Sequence, residues 1–83
     1  MTIVEFLRAR LDEEESAKPR TQNPLILTAR ASSRRYVAEH GDGVLDGQWC
    51  PKCETMLHPC YPLRLIAATY HDHPDYDAER WAP

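Results

Sequence analysis

The chain has 83 residues, 42% of them hydrophobic, and 13 acidic against 10 basic side chains leave a formal charge of −3. That length gives one domain with a core small enough to need a metal or another staple, and the acidic balance lends no bulk support to nucleic-acid binding, which usually goes with a basic domain. No apolar run approaches the roughly 20 residues of a membrane span, and the N-terminus lacks a basic stretch followed by an apolar core, so the chain is expected to be soluble and cytoplasmic.

Thr2 and Glu5 have the spacing of a capping box, in which each residue satisfies the other's backbone N–H. Ile3, Phe6, Leu7 and Leu11 follow at helical intervals with Val4 at the edge of the stripe, which predicts helix 1 over residues 3–17. Asp12, Glu13, Glu14 and Glu15 then crowd the C-terminal end, where the helix dipole disfavours negative charge. They read as a solvated face or as an acidic surface for a basic partner.

Residues 18–22 read as a loop around Pro19. Asn23 as N-cap and Pro24 at the first helical position open helix 2, which is predicted over residues 24–40 with Gly41 just past its end. Ile26, Ala29, Ser33, Tyr36 and Val37 form its thin apolar face. Arg30, Arg34 and Arg35 make the segment basic between two acidic ones. They suit either phosphate contacts or pairing with the acidic end of helix 1, and pairing within the fold is the simpler of the two.

Residues 41–47 hold all three glycines of the chain and form a turn-rich link into the stretch from Trp49 to Cys60. All three cysteines fall there. Cys50 and Cys53 have the Cys-x2-Cys spacing that delivers two thiolates from one turn to a tetrahedral Zn²⁺, with Pro51 shaping the turn and Lys52 adding positive charge beside the sulfurs. Pro59 pushes His58 towards extended backbone, where residues two apart face the same way, so His58 and Cys60 complete the expected ligand set. The pattern resembles the retroviral-type zinc knuckle through its first three ligands and departs from it in the last spacing. His40, His71 and His73 are therefore possible substitutes in the second pair. Three reduced, unliganded thiols, or one disulfide with a cysteine left over, are the competing readings. Trp49 is expected over the metal site or core, with base stacking as the alternative.

Pro62 opens a third helix over residues 62–70, which presents Leu63, Ile66, Ala67 and Tyr70 to the stripe of helix 1, although a buried strand has the same composition. In the tail, residues 71–83, Asp75 suits the N-cap of one last helical turn and Trp81 folds back onto the core. His71, Asp72, His73, Asp75 and Asp77 could ligate a catalytic metal ion or act as acid and base, but so short a chain offers no substrate pocket around them, and no catalytic residue is assigned.

The fold class expected is mainly α: a small three-helix domain, residues 1–83, with a zinc-knuckle-like turn between helices 2 and 3. Residues 3–14, with Ile3, Phe6 and Leu11, and residues 63–76, with Leu63, Leu65, His71, His73, Pro74 and Tyr76, resemble an uncharacterised family of small proteins from actinobacteria and their phages, a domain of unknown function. The resemblance implies an intracellular bacterial or phage setting and brings no activity with it. Two functions fit. One is a zinc-stabilised protein–protein interaction module working through the charged faces of helices 1 and 2. The other is a nucleic-acid accessory protein using Arg30, Arg34, Arg35 and Trp49 beside the knuckle. A thiol redox role for Cys50 and Cys53 ranks third, since no βαβ pattern surrounds them.

Overall fold

The computed structural model describes residues 1–17 and 23–83, so the loop expected at 18–22 lies outside the described residues. The protein is mainly helical: α1 (Ile3–Ala17), α2 (Pro24–Gly41), α3 (Tyr61–Ala68) and α4 (Ala78–Trp81) are the helices among the described residues. The extended pairing among them is one isolated antiparallel bridge, Trp49 to Leu57. No described helix is long and apolar enough to cross a membrane.

The capping box opens α1 as its residues dictate. Glu5 N–H donates to Thr2 Oγ1 at 3.1 Å and Thr2 N–H donates to Glu5 Oε1 at 2.8 Å. Ile3, Phe6, Leu7 and Leu11 are all 2% exposed or less. Full burial of such side chains is worth about 1.5–3 kcal/mol each, which makes this stripe the floor of the core.

Only the last turns of α2 reach that floor, through Val37, His40 and Gly41. Asn23 caps the helix by accepting from Leu25 N–H at 2.9 Å, but its first turns leave Leu25 and Leu27 facing solvent. Charge holds this overhang in place. Arg34 donates from Nε to Glu15 and from NH2 to Asp12, both at 2.8 Å, and Arg30 reaches the Glu14 carbonyl at 3.4 Å. Arg34 keeps the Glu15 carboxyl below its ordinary range. Of the carboxylates crowding the end of α1, Asp12 and Glu15 are thus answered by Arg34 of α2, while Glu13 pairs with Arg10 of α1.

α3 lies across both helices with Leu63 and Ala67 fully buried. It ends two residues earlier than its apolar pattern predicts, because Thr69 Oγ1 donates to the Ile66 carbonyl at 2.7 Å and Tyr70 N–H turns to Ala67 at 2.9 Å. The composition that also fitted a strand folds as a helix. The tail then wraps α1. Phe6 sits amid Trp81, His73, Tyr76 and Tyr70, with ring centroids 5.0, 5.7, 6.1 and 6.2 Å away. Asp77, not Asp75, caps α4, accepting from Arg80 N–H at 3.2 Å. Asp75 is occupied elsewhere, 3.8 Å from the buried Arg10 guanidinium. Arg10 also donates to Glu13 at 2.8 Å, lies 5.0 Å over the Phe6 ring and bonds His73 Nδ1 at 3.0 Å.

Gly41 occupies a close crossing of α2 with Val4 of α1 and Leu63 of α3. A Cβ there would sit 2.5 Å from Val4 Cγ2, 3.2 Å from Leu63 Cδ1 and 3.3 Å from His58 Cε1. Gly41→Ala is expected to lower stability by about 1–3 kcal/mol in urea unfolding, since overpacking outweighs the helix propensity gained. Burial and the 2.7 Å bond that Tyr70 donates to Glu14 raise its phenol to about 12. The native protein therefore keeps a proton that the unfolded chain releases near its ordinary pKa of about 10, so this stabilisation is complete below that pH and lost on the way to the folded value. Urea midpoints should fall between about pH 10 and about pH 12 in the native sequence, and fall less in Tyr70→Phe.

Candidate metal centre

Four side chains from three separate elements converge beside Gly41. His40 comes from the last turn of α2, Cys50 and Cys53 from the knuckle, and Cys60 from the N-cap position of α3. Their ligand atoms all lie within 4.8 Å of one another. His40 Nδ1 stands 3.3 Å from Cys50 Sγ, 3.3 Å from Cys53 Sγ and 3.6 Å from Cys60 Sγ. A tetrahedral zinc with bonds of roughly 2.3 Å to sulfur and 2.0–2.1 Å to nitrogen spaces those donors about 3.6 Å apart. The residues fit the ion, and Cys₃His is one of the donor sets of structural zinc.

The knuckle is built by its backbone. Cys50 N–H donates to the Met56 carbonyl at 2.8 Å and His58 N–H to the Gln48 carbonyl at 2.6 Å, closing a hairpin around the Trp49–Leu57 bridge. Inside it, Glu54 N–H bonds the Cys50 carbonyl at 2.9 Å with Glu54 at a φ of 63°, and Cys53 N–H points at Cys50 Sγ from 3.3 Å. Tyr36, one turn before His40 on α2, stacks on the imidazole with centroids 4.1 Å apart and rings within 9° of parallel. That contact aims Nδ1 at the sulfurs.

The protonation chemistry agrees with a site made for a cation. All three cysteines are free. Burial pushes the Cys60 thiol up to about 12 and raises Cys53 as well. At Cys50 burial also acts upward, but the N–H groups of Cys53 and Lys52 outweigh it and leave the thiol below its ordinary value. Burial lowers His40, which keeps the imidazole neutral with a lone pair to give. Without a cation most of these sulfurs stay protonated; a bound dication supplies the charge that lets all three ionise, releasing their protons.

The structure gathers Cys50, Cys53 and Cys60 as the spacing predicts, and it places His40, not His58, as the fourth donor. His58 is fixed in the hairpin by its pairing with Gln48, and its ring turns towards Gly41 and Asp46, with Nε2 3.7 Å from Asp46 Oδ1. Its side chain is 1% exposed and, among the described residues, neither ring nitrogen has a hydrogen-bond partner. Burial accordingly lowers its pKa, with Asp46 opposing. His71 and His73 lie in the tail, outside the cluster. His73 accepts N–H donors from Arg10 and Asp75 at Nδ1, both at 3.0 Å, so its proton is on Nε2.

The residues singled out for partner contact are divided. Arg34 is taken up by Asp12 and Glu15, and Arg30 lies against Glu14. Arg35 is open to solvent, with Glu39 4.0 Å away. Trp49 does not cover the metal cluster or the core: it is 64% exposed, paired in the bridge with Leu57, itself 51% exposed.

A family model described as a family of unknown function, DUF6221, matches residues 17–83, a stretch that contains all four ligand residues. No curated protein and no solved structure matches the chain.

The two histidines separate by substitution. His40→Ala should no longer hold stoichiometric zinc, whereas His58→Leu should retain about one equivalent by metal analysis. Cobalt substitution checks the same point, since only a variant with its four donors intact gives the absorption of tetrahedral Co²⁺ with thiolate ligands.

Proposed function

This chain belongs to the DUF6221 family of unknown function, and we propose that it is a small zinc-stabilised protein-interaction module with no catalysis of its own. The observation that carries this reading is the closure of the site. Four protein donors surround the position, two of them from fully buried cysteines, and no coordination place is left for a substrate or an activated water. Catalytic zinc sites keep such a place open, whereas structural ones fill it. The histidines and aspartates of the tail give no better support for catalysis, because His73 and Asp75 are engaged with Arg10.

The surface available to a protein partner is the knuckle, not the charged helices. Asp12 and Glu15 are both paired with Arg34, while Trp49, Leu57 and the neighbouring Leu45 are each more than half exposed. Tryptophan is among the residues most enriched at the energetic centres of protein interfaces, which makes Trp49 the anchor of this surface. The setting proposed is the reducing interior of a bacterial cell, with the protein encoded by an actinobacterium or its phage; the resemblance of the chain's two ends and the three free thiols support it. The second reading, a nucleic-acid accessory role, draws on the open side chains of Arg35 and Trp49.

Metal analysis of protein purified without added zinc should give about one equivalent, and its removal by a chelator should abolish cooperative unfolding by circular dichroism. Full retention of helix and cooperativity after complete removal would contradict the structural role. Trp49→Ala should keep zinc and stability yet lose the partner. Binding through the hairpin should respond weakly to salt, whereas nucleic-acid binding weakens with log salt by about 0.9 per phosphate contacted.

A further inference from the structure

We propose that the sulfur cluster is also an oxidation site, at which hydrogen peroxide joins Cys53 to Cys50 and expels the metal. This rests on the metal-centre reading above and adds a regulation to it. Two features of the geometry point to it. The first is access: Cys50 and Cys60 are 0% exposed, whereas Cys53 is partly open on a turn whose other residues, Pro51, Lys52 and Glu54, face solvent. Of the three sulfurs, only Cys53 can be met from outside.

The second is the placement of its neighbours. Cys50 shares the turn with Cys53, and two backbone hydrogen bonds already fold that turn around the Cys50 sulfur and carbonyl. Cys60 belongs to another element, at the start of α3 and beneath the surface. Cys50 is therefore the sulfur that meets the oxidised Cys53.

The chemistry balances with peroxide as the oxidant. The Cys53 thiolate attacks one peroxide oxygen, the O–O bond breaks, and Cys53 becomes a sulfenic acid as hydroxide leaves. The Cys50 thiolate then attacks the Cys53 sulfur, forming the S–S bond and releasing a second hydroxide. Two sulfurs have lost one electron each, and one peroxide has become two waters once two protons are taken up. A third proton goes to the Cys60 sulfur as the metal departs, because His40 and Cys60 alone do not make a structural site.

Loss of the metal unties the end of α2, the hairpin and the start of α3 from one another. The exposed anchors Trp49 and Leu57 lie on the very hairpin that is released. Oxidation would thus act on the surface assigned to partner binding.

The test uses the reduced, zinc-loaded full chain. Zinc content is measured first. Hydrogen peroxide is then titrated in while released zinc is followed with a chromophoric chelator, free thiols are counted, and the disulfide is located by peptide mass mapping. The expected result is full release of zinc together with loss of two of the three thiols, a Cys50–Cys53 bond, and recovery on adding reductant and zinc. Retention of zinc at a large excess of peroxide, or a crosslink through Cys60, overturns the inference and leaves the metal centre standing. Absence of zinc at the outset, before any oxidant, overturns both. Cys53→His keeps four donors while removing the outer sulfur and should release zinc at least roughly tenfold more slowly; release at the native rate also overturns the proposal.

Discussion

The meeting of His40 with Cys50, Cys53 and Cys60 is the constraint on which the arrangement of this chain turns. It ties the end of one helix, a hairpin and the beginning of another helix at a single point. None of those pieces buries much by itself: α2 commits only its last turns to the core, and α3 is eight residues long. Hydrophobic packing in so short a chain leaves little surplus over the entropy of ordering it. A metal held by these four donors would join distant segments and so do what additional apolar surface does in larger domains.

A second organising contact lies at the opposite flank of α1. Phe6 receives the aromatic residues of the tail on its edges and faces, and Arg10 lies over its ring while holding His73, Glu13 and Asp75. A guanidinium this buried needs partners from several directions, and the tail supplies them. The histidines and aspartates that look like an acid–base constellation in the sequence are therefore ligands for an arginine in part. Their role is to close the polypeptide over its own first helix.

Much of this was legible in the linear chain. The capping box at Thr2, the Asn23–Pro24 start of α2 and the apolar stripe of α1 are local rules, and each appears as written. The three cysteines declared themselves by spacing. His40 is one of three substitutes the sequence offers, and spacing does not pick it out, because this histidine arrives from the preceding helix across a link rich in glycine. The available signal was its place at the end of a helical pattern, one residue before Gly41, with Tyr36 one turn back to stack on it. His58 misled for the opposite reason. It sits inside the motif, but the hairpin register turns its ring onto the crossing of Gly41 with Val4 and Leu63. Trp49 was expected to cover the core or the metal; the bridge to Leu57 fixes it outward, a consequence of pairing that a one-dimensional pattern does not carry.

The two indoles end in opposite surroundings. Trp81 is sealed against Phe6 and Tyr76, while Trp49 stands in water on the hairpin. The molecule consequently carries two indole fluorophores in different surroundings, one sensing the integrity of the aromatic cluster and the other sensing what happens at the knuckle. Events at the two ends of this small protein can be followed with no added label.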